Sequence, residues 1–124
     1  MMKLEKNDIL MLHDMLLKKH GGLQGVRDES LLVSAINNPF QTFGGVDLYF
    51  SIQEKAASLC FGLISNHPFN DGNKRIGVLA MAIFLEYNGY PLKCTDSDLI
   101  YLGLGVASGK LLYDDILDWI VLRL

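Results

Sequence analysis

Residues 76–85 read IGVLAMAIFL, the longest apolar run of the chain. It is apolar on every face of a helix, so it predicts a helix buried on all sides rather than a surface helix. Its length is about half of the roughly 20 residues that a membrane-spanning helix needs. The run therefore indicates a fourth helix over residues 73–88 at the buried centre of a bundle. Gly89 and Pro91 end this helix in the order typical of helix C-termini.

The chain before this run predicts three more helices. The first begins near Asn7 or Asp8, both good N-caps, and ends at Gly21-Gly22. The second is capped by Asp28 and ends at residues 37–39, because a residue before proline leaves the α region. The third covers residues 51–66.

A loop or short hairpin is predicted for residues 40–50, which contain Gly44-Gly45 and alternate aromatic with polar residues. Its length is typical of a functional flap. Packing of its aromatic side chains is the simpler interpretation. Docking of a target segment by strand addition is the functional one.

Two further helices follow the central run. Residues 95–98 read TDSD, which resembles a capping box and opens a fifth helix that Ser108-Gly109 closes. A sixth begins near Asp114 and carries apolar residues to Leu122. We therefore expect one all-α domain over residues 1–124, a compact six-helix bundle with a buried central helix.

The composition limits the function classes. The chain has 124 residues, a net charge of −3 and a pI of about 5.5, so no basic face for duplex nucleic acid stands out. Cys60 and Cys94 do not require a disulfide, and charged residues in the first ten positions leave no apolar export core. We expect a reduced cytoplasmic protein that binds neither nucleic acid directly nor a membrane.

The loop before the central helix, residues 67–75, reads HPFNDGNKR. Its last two residues, Lys74 and Arg75, lie in the first helical turn, where the helix dipole disfavours cations by roughly 0.3–1 kcal/mol each. Two cations, the dipole and the free N–H groups after Gly72 together favour an anion such as a di- or triphosphate. Gly72, without a Cβ, lets the backbone approach a phosphate closely.

The remaining polar residues of the loop suit phosphoryl-type transfer. Asp71 is an anion among cations, and a magnesium ion bound to phosphate would explain it. Histidine is the side chain that most readily exchanges a proton near neutral pH, so His67 suits a general base for an attacking hydroxyl. Phe69 is predicted to point into the core and hold the loop down.

This nonapeptide resembles the signature of the Fic/Doc (Fido) superfamily. Residues 21–28, 34–36, 39 and 88–90 resemble its death-on-curing (Doc) branch, so the likeness covers almost the whole chain. The resemblance implies that His67 activates the target hydroxyl, that Asp71 holds magnesium and that Arg75 binds the triphosphate of ATP. The implied catalytic residues are His67 and Arg75, and the implied nucleotide-binding residues are Asn70, Asp71, Gly72, Asn73, Lys74 and Arg75.

Two departures from the Fic pattern bear on the reaction. Lys74 stands where most Fic adenylyltransferases have glycine, and Val78 stands where they have a second arginine. Doc-type toxins share both features, which implies an inverted nucleotide and phosphate transfer to elongation factor Tu. Pro68 and Gly72 are closer to the Fic consensus, which keeps AMP transfer open. No inhibitory motif is present, so the resemblance implies a separate antitoxin as partner.

Simpler interpretations remain at this stage. Asp71 could be the N-cap of the central helix, His67 a capping histidine, and Lys74 with Arg75 a solvated pair bonded to nearby acids. A catalytically silent module that binds antitoxin or nucleotide is the third hypothesis for the whole chain. His13 and His20 are interpreted as a surface coincidence, and Arg27-Asp28 as a local ion pair and cap. Residues 105–110 imitate a phosphate loop with wrong spacing.

Overall fold

The computed structural model describes residues 1–124 and contains six α-helices and one two-stranded hairpin. In chain order the helices are α1 (Lys6–His20), α2 (Glu29–Asn37), α3 (Ile52–Ser65), α4 (Asn73–Tyr87), α5 (Asp96–Ala107) and α6 (Tyr113–Val121). A 3-10 turn at Asn38–Phe40 leads into strands β1 (Thr42–Phe43) and β2 (Val46–Asp47). The predicted all-α class and the predicted hairpin are confirmed.

Local capping sets most of the helix starts, and the caps predicted for α2 and α5 are confirmed. In α5, Thr95 and Asp98 form the reciprocal capping box, with hydrogen bonds of 3.0 and 3.2 Å. Asp28 accepts from the Leu31 N–H and so caps α2. The predicted cap of α1 at Asn7 or Asp8 is wrong, because Glu5 is the N-cap and Asp8 accepts from its N–H.

The core is one continuous cluster around α3 and α4. In α4, Ile76, Met81, Phe84 and Leu85 are buried, whereas Leu79, Ala82 and Ile83 are half-buried, so the predicted burial on every side is wrong for one face of the helix. The predicted central helix is confirmed, although α3, which is buried from Lys55 to Cys60, shares the centre with it. None of the helices combines the length and the apolarity required to cross a membrane.

Candidate active site

The loop between α3 and α4 begins with a strained residue. His67 is the only non-glycine residue with positive φ, at 51°, a conformation that costs free energy and so needs support from its surroundings. Arg27 supplies support: its Nε donates to the His67 carbonyl at 2.7 Å and its Nη2 to the Asn66 carbonyl at 3.0 Å. The interpretation of Arg27 as the ion-pair partner of Asp28 is therefore wrong. His67 itself is exposed, with its side chain available to a ligand.

Phe69 anchors the loop in the core, as predicted. Its side chain is 1% exposed and its ring stacks on the ring of His13, with 3.7 Å between centroids. Its backbone is bound by Asn73, whose side-chain oxygen accepts from the Phe69 N–H at 2.9 Å and whose amide donates to the Phe69 carbonyl at 3.1 Å. The Asn73 side chain is thus turned inward, and its backbone N–H is the group left for a ligand.

His13 is not the surface residue that the sequence indicated. It is 5% exposed, and its Nε2 lies 2.8 Å from the Asp71 carbonyl oxygen. A signal for this burial was present, because His13 lies four residues after Ile9 and four before Leu17, on the apolar stripe of α1. His13 and Arg27 are the two residues at this site whose role the sequence interpretation missed.

The Asp71 carboxylate is oriented by backbone donors. Oδ2 accepts from the Leu23 N–H at 3.1 Å, and Oδ1 accepts from the Gly72 N–H at 2.9 Å. These bonds, in that order, hold the pKa of Asp71 below its usual value, with a smaller contribution from the charge of Arg75. A Cβ on Gly22 would lie only 2.7 Å from Oδ2 of Asp71, so only glycine fits at position 22 this close to the carboxylate.

Asp71 is not the N-cap of α4, so that alternative is wrong. The N-cap is Gly72, in the left-handed conformation with φ 79°, and no side chain caps this helix. The N–H groups of Asn73, Lys74 and Arg75 consequently donate no hydrogen bond within the protein. Three free donors at the positive end of a helix form an anion-binding site.

The two cations beside these donors are also without partners. Lys74 and Arg75 are exposed, and neither lies within 4.0 Å of a carboxylate oxygen in an ion pair. The alternative of a pair bonded to nearby acids is therefore wrong. The positive end of the helix dipole and the two cations all lie at the first turn of α4, where together they would stabilise a polyanion.

Two clefts flank this anion site. The first has a volume of about 520 Å³ and is lined by His67, Asn70, Asp71, Gly72, Asn73 and Lys74 together with the end of α5. The second, about 290 Å³, lies between α4 and α5 and is lined by Asp71, Gly72, Lys74 and Arg75 with the apolar residues Val78, Leu99, Ile100 and Leu104. The first cleft thus brings together every predicted site residue except Arg75, which lies in the second.

Other candidate chemistry is weaker. Asp71 is the only carboxylate that lines either cleft, and no three His, Cys, Asp or Glu residues are grouped as a metal site. A metal ion at Asp71 would therefore take further oxygen ligands from phosphate, which suits magnesium.

Burial raises the pKa of the Cys60 thiol to about 12, so it is no nucleophile at neutral pH. The largest cleft, about 660 Å³ between α3 and α6, has acidic and apolar walls without a cation.

The amino-acid sequence of this chain is similar to a known protein family and to two named proteins. A model of the Fic/DOC family matches residues 3–85, which run from the start of α1 into α4. Toxin Doc of Mycolicibacterium smegmatis is 44% identical over 72 residues, covering 58% of this chain and 55% of that protein. Protein kinase doc of Escherichia phage P1 is 28% identical over 119 residues, covering 95% of this chain and 92% of that protein. The chain thus matches little more than half of the mycobacterial toxin and nearly all of the phage kinase.

Proposed function

Because this chain belongs to the Fic/DOC family, we propose that it is a Doc-like toxin that transfers phosphate from ATP to a hydroxyl of a protein. Elongation factor Tu is the expected target, and loss of translation is the expected consequence. The observation that carries the proposal is the unpartnered anion site at the start of α4, with His67 on one side and an apolar cleft on the other. The names of the two relatives, Toxin Doc and Protein kinase doc, support it.

The chain's residues divide the chemical step between them. His67 takes the proton of the target hydroxyl. The hydroxyl oxygen then forms a bond to the γ-phosphorus of ATP, while the bond between that phosphorus and the oxygen that bridges the β- and γ-phosphates breaks. ADP leaves with the electron pair. The free N–H groups of Asn73, Lys74 and Arg75 hold the phosphate oxygens, and the two side-chain cations stabilise the charge that develops on them. The Asp71 carboxylate would hold magnesium, which would supply further charge neutralisation.

The two clefts support phosphate transfer over AMP transfer. Transfer of the γ-phosphoryl group requires the last phosphate near His67, so the nucleoside must extend away from His67. The α4–α5 cleft is not lined by His67, and its apolar walls suit a purine ring. Lys74 lines both clefts and would therefore lie along the phosphate chain that joins them.

AMP transfer is the second candidate. The cleft beside His67, at about 520 Å³, is large enough to hold a nucleoside. In that orientation the α-phosphate would lie at His67 and pyrophosphate would leave. Pro68 and Gly72, which follow the Fic consensus, favour this reading.

The proposed macromolecular partners are a protein substrate and a cognate antitoxin. The β1–β2 hairpin has unpaired strand edges and exposes Phe43, Val46, Leu48 and Phe50, so it suits docking of an extended target segment. The antitoxin is proposed from the relative named Toxin Doc.

Label transfer tests the reaction. Purified protein is incubated with elongation factor Tu, magnesium and ATP labelled at the γ- or the α-phosphate, with His67→Ala as the inactive control. Label from the γ-position alone supports the kinase, and label from the α-position establishes AMP transfer instead. No label in elongation factor Tu or in a whole bacterial lysate would indicate a catalytically silent module.

A matched pair of variants tests the orientation. Leu104 and Ala107 are exposed, lie about one turn apart on α5, and line the α4–α5 cleft and the His67 cleft, respectively. Under the kinase proposal, Leu104→Trp weakens binding of ATP but not of inorganic tripolyphosphate, whereas Ala107→Trp leaves ATP affinity unchanged. The reverse pattern would place the nucleoside beside His67.

A further inference from the structure

We propose that His13 is a positioning residue that sets the orientation of the Asp71–Gly72 peptide and so keeps the Asp71 carbonyl oxygen out of the phosphate site. The inference about phosphate rests on the proposed function, whereas the inference about peptide orientation rests on geometry alone. His13 belongs to α1, which contributes no residue to either cleft beside the loop.

The hydrogen bond between His13 and Asp71 has a defined direction. The Asp71 carbonyl can only accept, so the His13 Nε2, 2.8 Å away, must carry the proton. In a planar trans peptide the C=O and the N–H point in opposite directions. Holding the Asp71 oxygen on His13 therefore directs the Gly72 N–H to the other side, where it donates to Asp71 Oδ1 at 2.9 Å.

Without this bond the peptide has freedom to rotate. Gly72 has φ 79° and no Cβ, so rotation of the preceding peptide meets little steric resistance. Rotation would turn the Asp71 carbonyl oxygen towards the cleft, beside the free N–H groups of α4. A partial negative charge there would oppose an incoming phosphate.

The His13 ring makes two separable contributions, the hydrogen bond from Nε2 and the stack on Phe69 at an interplanar angle of 11°. His13→Phe keeps a ring for the stack and removes the donor. His13→Gln keeps an N–H donor of similar reach and removes the stack. Ile9→Val, one turn earlier on the buried face of α1, is the control for general loosening of this helix.

Two measurements are made on each variant: hydrogen exchange of the Gly72 amide by NMR, and calorimetric binding of inorganic tripolyphosphate with Mg²⁺. One net hydrogen bond corresponds to about a tenfold change, so His13→Phe should speed exchange and weaken binding by about tenfold. His13→Gln and Ile9→Val should remain within about threefold of the parent chain on the same basis.

The outcomes separate this inference from the proposed function. If His13→Phe leaves Gly72 exchange unchanged, or if the Gln and Phe variants are equally impaired, a positioning role for the Nε2 donor is wrong. If the parent chain does not bind tripolyphosphate, the phosphate site of the proposed function is wrong. The exchange measurement then still decides whether His13 orients the peptide.

Discussion

Among single residues, the contacts within the protein decide which backbone and side-chain groups of the candidate site remain free. The Asn73 side chain is used to hold Phe69, and both Asp71 oxygens already accept an N–H. The groups left for a ligand are three helix-terminal N–H donors, the His67 ring, the ends of Lys74 and Arg75, and the second lone pair of each Asp71 oxygen. The sequence predicted the residues of the candidate site, but which of their atoms remain free depends on these contacts.

The lowered pKa of Asp71 predicts a pH-dependent contribution to stability. A carboxyl group whose pKa is lower in the folded than in the unfolded state stabilises the fold above its unfolded pKa. That contribution is lost as the pH falls from the ordinary value of 3.8 through the lower folded-state value. Asp71→Asn leaves one side-chain oxygen to accept from the N–H groups of Leu23 and Gly72 and removes the charge. This substitution should therefore lower the melting temperature more at pH 7 than near pH 3.

Thermal unfolding of both chains across this pH range checks the prediction. Asp118→Asn is the matched control, since Asp118 is an exposed aspartate that makes no ion pair. An Asp71→Asn difference that stays constant from pH 7 to pH 3 would contradict the argument.

At the scale of elements, the hairpin shows how a local turn and a distant anchor combine. Gly44 and Gly45 both have positive φ, which is the requirement of a type I′ turn between paired strands, and this was readable from the sequence. The anchor was not. Lys55 of α3 is 3% exposed, and its Nζ donates to Asp47 Oδ2 at 3.2 Å, to the Phe50 carbonyl at 3.1 Å and to the Tyr49 carbonyl.

Lys55→Met should release the hairpin without unfolding the bundle. Methionine retains an apolar stem in the buried position and removes the three hydrogen bonds, each worth about 0.5–1.5 kcal/mol. We expect chymotrypsin to cut after the aromatic residues of 43–50 at least about tenfold faster, because lowering the free energy of hairpin opening by roughly 1.4 kcal/mol makes the open population tenfold larger.

The matched control is Lys110→Met, which changes an exposed lysine that makes no ion pair. Equal digestion of both variants would show that Lys55 does not restrain the hairpin. If the hairpin docks the protein substrate, label transfer to that substrate should fall in Lys55→Met while tripolyphosphate binding persists.

At the scale of the whole molecule, the anion site and the hydrophobic core share one helix. The first turn of α4 contains Lys74 and Arg75, whereas Ile76, directly after them, is 0% exposed. Near its other end, Phe84 is 1% exposed and packs edge-on against Phe40, which precedes the hairpin. The core therefore fixes where the free end of the helix points.

Phe84→Ala should cost about 3–5 kcal/mol, because it removes a fully buried ring and leaves a cavity. That is a large part of the roughly 5–15 kcal/mol that stabilises a domain. Phe84→Leu, which keeps most of the volume, should cost about 1.5 kcal/mol or less. Urea unfolding followed by circular dichroism measures the free energy of unfolding of both variants. Equal midpoints for the two variants would contradict the argument that the volume of the side chain at position 84 stabilises the core.

The six helices, the caps of α2 and α5 and the apolar run of residues 76–85 were predictable from the amino-acid sequence. These features are local: helical periodicity, capping and turn preferences act over three to four positions of the chain. The contacts of His13 with Asp71 and of Arg27 with His67 span 58 and 40 positions, so they were visible only in the folded chain. The tertiary structure also decided that two clefts flank the anion site, because a cleft exists only where packed helices leave space between them, and the position of one helix against another depends on the whole core.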